Sequence, residues 1–304
     1  MNVRHVTWAR STFLMSAILG SMAVRAAHAD CSVSVAIVPT HDAFARELNP
    51  GLNYGSGGAL HVSGPDATNF LGEPNGRHDS VMKIDPASAL TAFDAAFGAG
   101  NWTLSAAELI TQEVGLPNNP IFNVGAGQFS VQWLSDDSWI QGSGSPQFPV
   151  AAAGTEMCWT LLQTILASAT QTHMGTYANE SASGERNYSL TLVPNFVADV
   201  VAGGPVSLHV SPVTPTIGYT FFALNHGIAT NHPRLVLTAR ATGGDVNCDT
   251  VRNLADVDAF ILAVLDPAAF GVAYPGCNMS GADLNHDGNI NGLDIPSLVC
   301  AVVP

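Results

Sequence analysis

Two twelve-residue segments near the C-terminus carry oxygen-bearing side chains at the same positions, and they constrain this chain more than any other feature. Loop 1 spans residues 245–256 and loop 2 spans residues 283–294. Calcium takes about six to eight oxygen ligands, and a twelve-residue loop of this kind wraps them round the ion. The sequence therefore predicts two bound calcium ions. The side-chain ligands, at positions 1, 3, 5, 9 and 12, are Asp245, Asn247, Asp249, Asn253, Asp256, Asp283, Asn285, Asp287, Asn291 and Asp294.

The seventh position of each loop is expected to contribute a backbone carbonyl, from Val251 and from Asn289. Apolar residues at helical spacing follow each loop, over residues 254–265 and after Asp294. Each unit is therefore predicted to be a loop followed by a helix, without a preceding helix.

The two loops differ at positions 6 and 8. Position 6 favours Gly because it needs a left-handed turn, and it is Thr250 in loop 1 but Gly288 in loop 2. Position 8, which is usually apolar, is Arg252 in loop 1 and Ile290 in loop 2. We therefore expect loop 2 to bind calcium more tightly than loop 1.

The N-terminus has the pattern of a secretory signal peptide. Arg4 and Arg10 accompany an apolar run over residues 12–24, which is shorter than a membrane-spanning helix. An Ala-His-Ala motif ending at Ala29 then marks a cleavage site. We expect residues 1–29 to be a signal peptide and the protein to be secreted or exposed at the cell surface, without a membrane span after cleavage. The alternative is an N-terminal membrane anchor.

Charge and cysteine spacing exclude two classes of site. The formal net charge is −14, so there is no basic patch to neutralise phosphates and no nucleic-acid partner is expected. None of the five cysteines forms a CxxC pair, which argues against structural zinc. In an oxidising compartment an odd number leaves at least one thiol free or paired between chains. A bond between Cys31 and Cys158 is one pairing left open, and Cys300 on the second predicted helix is expected to be a buried small apolar residue.

Residues 30–242 contain several short segments in which apolar and polar residues alternate, separated by clusters of Gly, Pro, Asn and Asp. This pattern predicts an antiparallel β-sandwich. Short helices are expected over residues 87–97 and 194–201. The clearest alternating segments cover residues 129–133, 188–192, 206–211 and 235–239.

Four stretches of this region resemble the DNRLRE family of secreted β-sandwich domains. Relatives of that fold include jelly-roll modules that bind polysaccharides, so the resemblance implies a jelly-roll-like sandwich over residues 30–242. The arginine that the family has near residue 80 is displaced here to Arg77. The stretches that carry the resemblance are residues 41–62, 80–85, 195–201 and 232–238.

Residues 243–304 resemble the dockerin family, in particular the dockerin-like tails of planctomycete secreted proteins. Residues 244–249, residues 274–277 and loop 2 carry the resemblance. It implies a small α-helical domain, a disulfide between Cys248 and Cys277, and a cohesin-like or envelope protein as docking partner. Positions 10 and 11 are Leu-Ala and Gly-Leu here, whereas cellulosomal dockerins use Ser/Thr pairs to recognise cohesin.

Three functions remain open for the β-sandwich. The first is a non-catalytic module that binds carbohydrate or acts in adhesion. The alternative is an extracellular polysaccharide-degrading enzyme, a glycoside hydrolase or lyase carrying a dockerin tag, and the third is a structural envelope protein. A sugar-binding module presents aromatic faces, and the candidate platforms are Trp139 and Tyr54, with Trp139 expected to be more exposed than Trp133. A hydrolase needs two facing carboxylates, and no spacing marks such a pair, so no catalytic residue is predicted.

Overall fold

The computed structural model describes residues 32–115 and 119–302, and its architecture is mainly β with several helices. The expected signal peptide over residues 1–29 lies outside the described residues, as does Cys31. Within the described ranges, every helix falls short of the length and apolarity needed to cross a bilayer.

The strands form a large antiparallel sheet and a separate two-stranded pair. Within the described residues they are β1 (Val33–Ile37), β2 (His41–Arg46), β3 (Leu52–Asn53), β4 (Ala59–Ser63), β5 (His78–Ile84), β6 (Trp102–Glu113), β7 (Gly127–Leu134), β8 (Val150–Ala151), β9 (Gln171–Asn179), β10 (Gly184–Leu190), β11 (Val206–Pro212), β12 (Gly218–Phe222) and β13 (Arg234–Ala241). The α-helices are α1 (Ala87–Phe97), α2 (Trp159–Ser168), α3 (Pro194–Ala202), α4 (Ala255–Leu265), α5 (Pro267–Ala273) and α6 (Ile295–Val302).

The large sheet bends into two parts that face each other across one hydrophobic core. The main path runs β1-β13-β6-β12-β4-β5-β11-β7-β9, with β10 added to β6 and β2 added to β5. Strands β6 and β12 pair only through Glu113 and Phe221, so the sheet turns a corner there. Both parts contribute to the same core, in which Tyr188 of β10 meets Phe129 of β7 edge to face at 5.1 Å. This arrangement is consistent with a β-sandwich.

The predicted alternation is correct, but its polar side is buried as well. In β11, Val206, Leu208 and Val210 belong to the sandwich core, while the intervening polar side chains are buried on the other side. Of these, Ser207 bonds to Trp139 and Asp137 in the segment 135–169. Helix α2 belongs to this covering layer, where Leu162 and Ile165 pack with residues of β2 and β5. The sheet therefore has a third layer on one face, which the sequence pattern did not predict.

The C-terminal residues have a hydrophobic cluster of their own. Val246, Phe260, Leu284 and Leu298 are buried together, and no member of this cluster belongs to the sandwich core. Helix α4 follows loop 1 and helix α6 follows loop 2, as the apolar spacing predicts. Between them lies α5, which begins at Pro267, where the missing N–H costs little.

Candidate metal centre

The carboxylate at position 12 closes loop 1 from inside. Asp256 is fully buried. Its Oδ1 accepts hydrogen bonds from the backbone N–H groups of Val246 at 2.8 Å and Asn247 at 3.1 Å, and its Oδ2 accepts one from the N–H of Asn253 at 2.9 Å. Bonds to a charged acceptor are the stronger kind, so this one side chain ties the start and the end of the loop together.

Loop 2 repeats this arrangement atom for atom. Asp294 is fully buried, and its Oδ1 accepts from the N–H groups of Leu284 at 2.8 Å and Asn285 at 3.0 Å. Its Oδ2 accepts from the N–H of Asn291 at 2.9 Å. The donors occupy positions 2, 3 and 9, as they do in loop 1, so the sequence repeat is also a structural repeat.

Position 1 shows the main difference between the loops. Asp245 uses both oxygens, because Oδ1 accepts from the N–H of Asp249 at 3.0 Å and Oδ2 from the N–H of Thr250 at 2.9 Å. Asp283 accepts only one bond in the described structure, at Oδ2 from the N–H of Gly288 at 3.0 Å. Its Oδ1 is buried without a hydrogen-bond partner. A buried carboxylate oxygen without a donor is unfavourable unless a cation or a water molecule satisfies it.

Positions 3 and 5 lie side by side in both loops. The side-chain amide of Asn247 donates to Asp249 Oδ2 at 3.1 Å, and that of Asn285 donates to Asp287 Oδ2 at 3.2 Å. The amide and the carboxylate of these two positions are therefore in direct contact in each loop. Amide and carboxylate oxygens are the ligands that calcium prefers.

The backbone also repeats between the loops. Position 4 has a left-handed φ in both, 61° at Cys248 and 56° at His286, and so does position 6, at 72° for Thr250 and 84° for Gly288. Gly adopts this conformation freely, whereas a β-branched residue is strained in it. Loop 1 therefore has the same conformation as loop 2 but at a cost in strain.

The residues present fit a hard cation such as calcium. The strongest observation is the buried, unpartnered Oδ1 of Asp283. No group of three or more His, Cys, Asp or Glu side chains in the described part of the chain is arranged to hold a metal. The predicted oxygen sets are a different kind, because Asn side chains and backbone carbonyls supply half of each.

One disulfide joins loop 1 to the segment before loop 2. Cys248 is bonded to Cys277, with Cα atoms 5.8 Å apart, which confirms the pairing implied by the dockerin resemblance. Cys158 is a free, buried thiol, so the pairing of Cys31 with Cys158 is wrong. Cys158 precedes α2 in the covering layer and packs there as a small apolar residue. Cys300 on α6 is engaged in a disulfide rather than serving as a simple apolar residue.

The two candidate sugar platforms are buried. Trp139 is 0 % exposed and Tyr54 is 3 % exposed, so neither presents a ring face to a ligand. The expectation that Trp139 is more exposed than Trp133 is wrong, since Trp133 is 7 % exposed. Trp139 is buried because its indole N–H donates to Ser207 Oγ at 3.0 Å and Lys83 Nζ lies 4.8 Å above its ring. Tyr54 stacks on Phe44 in the sandwich core.

The buried ionisable groups of the sheet are held by one another. Asp79 is fully buried and accepts a bidentate pair of bonds from Arg77, at 2.8 and 2.9 Å, and one from His209 Nε2 at 2.8 Å. Desolvation raises the pKa of Asp79, but these two partners outweigh it and the net pKa is lowered. Glu113 has one contact of this kind, with Arg186 at 3.3 Å, and burial raises its pKa. Both carboxylates are thus engaged with basic partners.

Asp42 is the exception among these carboxylates. Its Oδ2 accepts from the N–H of Leu224 at 2.7 Å, while its Oδ1 is buried without a partner. Because burial disfavours the charged form and no cation compensates, the pKa of Asp42 is raised to about 7. No local pattern in the sequence indicates this shift, since Asp42 lies in a short strand among residues of ordinary type.

Comparison with known proteins adds no assignment to these observations. No family model matches the chain, and no curated protein matches it either.

Proposed function

We propose that this chain is a secreted or cell-surface, non-catalytic β-sandwich module of jelly-roll type that binds carbohydrate or acts in adhesion. Its dockerin-like tail, residues 243–304, binds two calcium ions and docks to a cohesin-like or envelope protein. The observation that carries the proposal is the buried Oδ1 of Asp283, which lacks a donor inside a loop whose hydrogen bonds repeat those of loop 1.

Calcium neutralises the carboxylates of each loop. Three carboxylates belong to each loop, and no Lys or Arg of loop 2 opposes them. Like charges this close destabilise the loop, and a divalent cation reverses that effect. The ligands proposed are the residues at positions 1, 3, 5, 7, 9 and 12, with Val251 and Asn289 contributing through their carbonyls. The unpartnered oxygen of Asp283 and the unstrained Gly288 favour the tighter site in loop 2.

The docking function is supported by one exposed leucine in each loop, at position 10 in loop 1 and at position 11 in loop 2. Leu254 at position 10 of loop 1 is 68 % exposed, and Leu293 at position 11 of loop 2 is 67 % exposed. Large apolar side chains on the surface contribute most to binding when a partner covers them. The tail therefore suits a partner with an apolar surface rather than one that recognises Ser/Thr pairs.

Calcium titration of the chelator-treated full chain tests the metal site. We expect two ions bound per chain by isothermal titration calorimetry and native mass spectrometry, and one ion in each of Asp245→Ala and Asp283→Ala. Asp258→Ala is the matched control, because Asp258 is an exposed acid of α4 outside both loops. Absence of bound calcium, together with a melting temperature that EDTA leaves unchanged, would refute the metal sites.

A separate experiment tests the proposal that the chain is non-catalytic. The purified chain, loaded with calcium, is incubated with neutral and acidic polysaccharides while reducing ends and unsaturated ends are measured. We expect no release above that of a heat-denatured sample. Release of either product would favour the alternative of an enzyme carrying a docking tag.

A further inference from the structure

A cavity of about 530 Å³ opens beside β12, at one end of the sandwich. Four separate parts of the chain contribute described residues to its walls: residues 56–59, the segment that holds Val114, Asn119 and Phe122, residues 145–147, and the end of β12 with the turn that follows it. Its volume lies within the range of small-molecule sites. The local sequence of each wall is ordinary, which is why the sequence alone did not indicate it.

The described residues of the lining include no charged side chain. Each of them is apolar, aromatic, glycine, hydroxyl, amide or histidine. A charged ligand would lose its hydration here without gaining an opposite charge. The ligand that suits this cavity is therefore uncharged.

One wall of the cavity is an aromatic pair. The rings of Phe222 and His226 lie 3.9 Å apart between centroids and 30° from parallel, and both residues are half-buried. A ring face at the edge of a cavity suits a ligand with an apolar face, such as the C–H side of a pyranose.

Unused amide groups lie near this wall. Among the described residues, the Asn119 side-chain N–H₂ donates to no protein group, since only its Oδ1 is engaged, accepting from Ile121 N–H at 3.0 Å. The amide of Gln147 is exposed and has no protein partner in that part of the chain. Free amides beside an aromatic face match a ligand that combines hydroxyl groups with an apolar surface.

The walls are fixed before any ligand binds. The turn that carries His226 is held by the bond from Leu224 N–H to Asp42 at 2.7 Å and by the bond from Gln141 to Asn225 at 2.5 Å. On the opposite wall, Ser56 Oγ donates to Ser143 O at 2.7 Å. A preformed site lowers the entropy that a ligand must lose to bind.

We propose that this cavity binds a neutral saccharide unit of an oligo- or polysaccharide, with the Phe222–His226 pair against the sugar face and Asn119 and Gln147 hydrogen-bonded to hydroxyl groups. The inference rests on the proposed binding role of the β-sandwich and names its ligand class and its site. It also replaces the buried Trp139 and Tyr54 as the candidate contacts for sugar.

Gly58 offers a way to fill the cavity without straining the backbone. A Cβ added there would lie 3.8 Å from His226 Cα, which is ordinary contact, and its φ is not left-handed. Gly58→Leu therefore places a side chain against the aromatic wall. Gly204→Leu is the matched control, because a Cβ at Gly204 meets nothing within 4 Å. Gln147→Ala removes one amide from an exposed residue and leaves the fold intact.

The experiment measures binding of the calcium-loaded full chain to defined probes by calorimetry and affinity electrophoresis. The probes are neutral hexasaccharides of β-1,4-glucose, β-1,4-xylose, β-1,4-mannose and β-1,3-glucose, together with acidic oligogalacturonate and a sulfated galactan. We expect at least one neutral hexasaccharide to bind the unmodified chain. Relative to that chain, its affinity should be at least tenfold lower for Gly58→Leu and several-fold lower for Gln147→Ala. Its affinity for Gly204→Leu should be unchanged.

Two results overturn the inference and are distinguishable from each other. Saccharide binding that Gly58→Leu leaves unchanged, or binding to the acidic probes alone, would place the ligand elsewhere while the sandwich remains a carbohydrate-binding module. Absence of binding to every probe, with circular dichroism showing a folded chain, would remove both the cavity site and the carbohydrate-binding role.

Discussion

Exchanging the residues at position 6 of the two loops tests the proposed calcium sites where the loops differ in backbone strain. Thr250 and Gly288 have nearly the same left-handed φ, at 72° and 84°. Each residue donates its N–H to the position 1 carboxylate, Thr250 to Asp245 at 2.9 Å and Gly288 to Asp283 at 3.0 Å. Thr250→Gly and Gly288→Thr therefore change strain while keeping this bond.

The expected magnitude follows from the cost of that conformation. A residue with a Cβ loses roughly 1–2 kcal/mol in the left-handed region. Gly has an opposing cost of roughly 0.5–1 kcal/mol, because it loses more conformational freedom than other residues when the loop becomes ordered. A net effect of about 1 kcal/mol corresponds to about a fivefold change in the dissociation constant. We expect Thr250→Gly to tighten loop 1 about fivefold and Gly288→Thr to weaken loop 2 by a similar factor.

Calorimetry with a competing chelator measures each site alone, in a background where the other loop carries Asp245→Ala or Asp283→Ala. The double variant, with both exchanges, should reduce or invert the difference in calcium affinity between the two loops. An unchanged affinity in both single variants would show that position 6 does not limit binding. Equal affinities in the unmodified loops would contradict the expectation that loop 2 is tighter.

Three further predictions concern stability. Asp42→Asn should flatten the pH dependence of stability. The folded pKa of about 7 lies above 3.8, the ordinary value for an aspartate, so the stability of the wild type falls as pH rises between these two values. The variant should therefore be more stable than the wild type at about pH 8 and equally stable below about pH 4. An equal difference at both pH values, in urea unfolding, would contradict this. Replacing both Cys248 and Cys277 by Ala opens a loop with a sequence separation of 29 and should destabilise the tail by about 3.5 kcal/mol. Cys158→Ala, at the free thiol, should leave the stability of the tail unchanged. If the tail unfolds at the same urea concentration in both variants, the disulfide does not stabilise it. Asp294→Ala leaves three backbone N–H groups without their acceptor. It should abolish calcium binding in loop 2 and lower the free energy of unfolding by about 3 kcal/mol, while Asp258→Ala should do neither. If calorimetry shows that Asp294→Ala still binds calcium in loop 2, the loop closes without this carboxylate.

The features that the sequence predicted are those encoded locally. The loops repeat because each places Asp or Asn at fixed positions that bond to N–H groups within ten residues, and helices α1 and α3 were found where their apolar spacing predicted them. Strand β11 was also predicted, because period-two alternation is a property of consecutive residues. The disulfide of the tail was predicted from the dockerin resemblance rather than from a local pattern alone.

The features that the sequence did not predict depend on distant contacts. Trp139 lies in a polar stretch that suggests exposure, yet its burial is decided by Ser207 and Lys83, far away along the chain. The raised pKa of Asp42 depends in the same way on the turn at Leu224. The cavity beside β12 combines segments nearly 170 residues apart. A single sequence contains no local pattern that indicates which distant residues will be in contact.

One departure of loop 1 from the usual pattern has a structural cause in the neighbouring sandwich. Arg252, at the position that is usually apolar, donates from Nη1 to the carbonyl of Ala241 at the end of β13, at 3.2 Å. His286 of loop 2 packs against the turn at Gly98, where an added Cβ would lie only 3.0 Å from the imidazole ring. One residue from each loop thus contacts the sandwich, while Leu254 and Leu293 remain exposed. The arginine that is unsuited to pairing the two loops is therefore suited to holding the tail against its own sandwich, and a cation that orders the loops, as proposed, would also order these contacts.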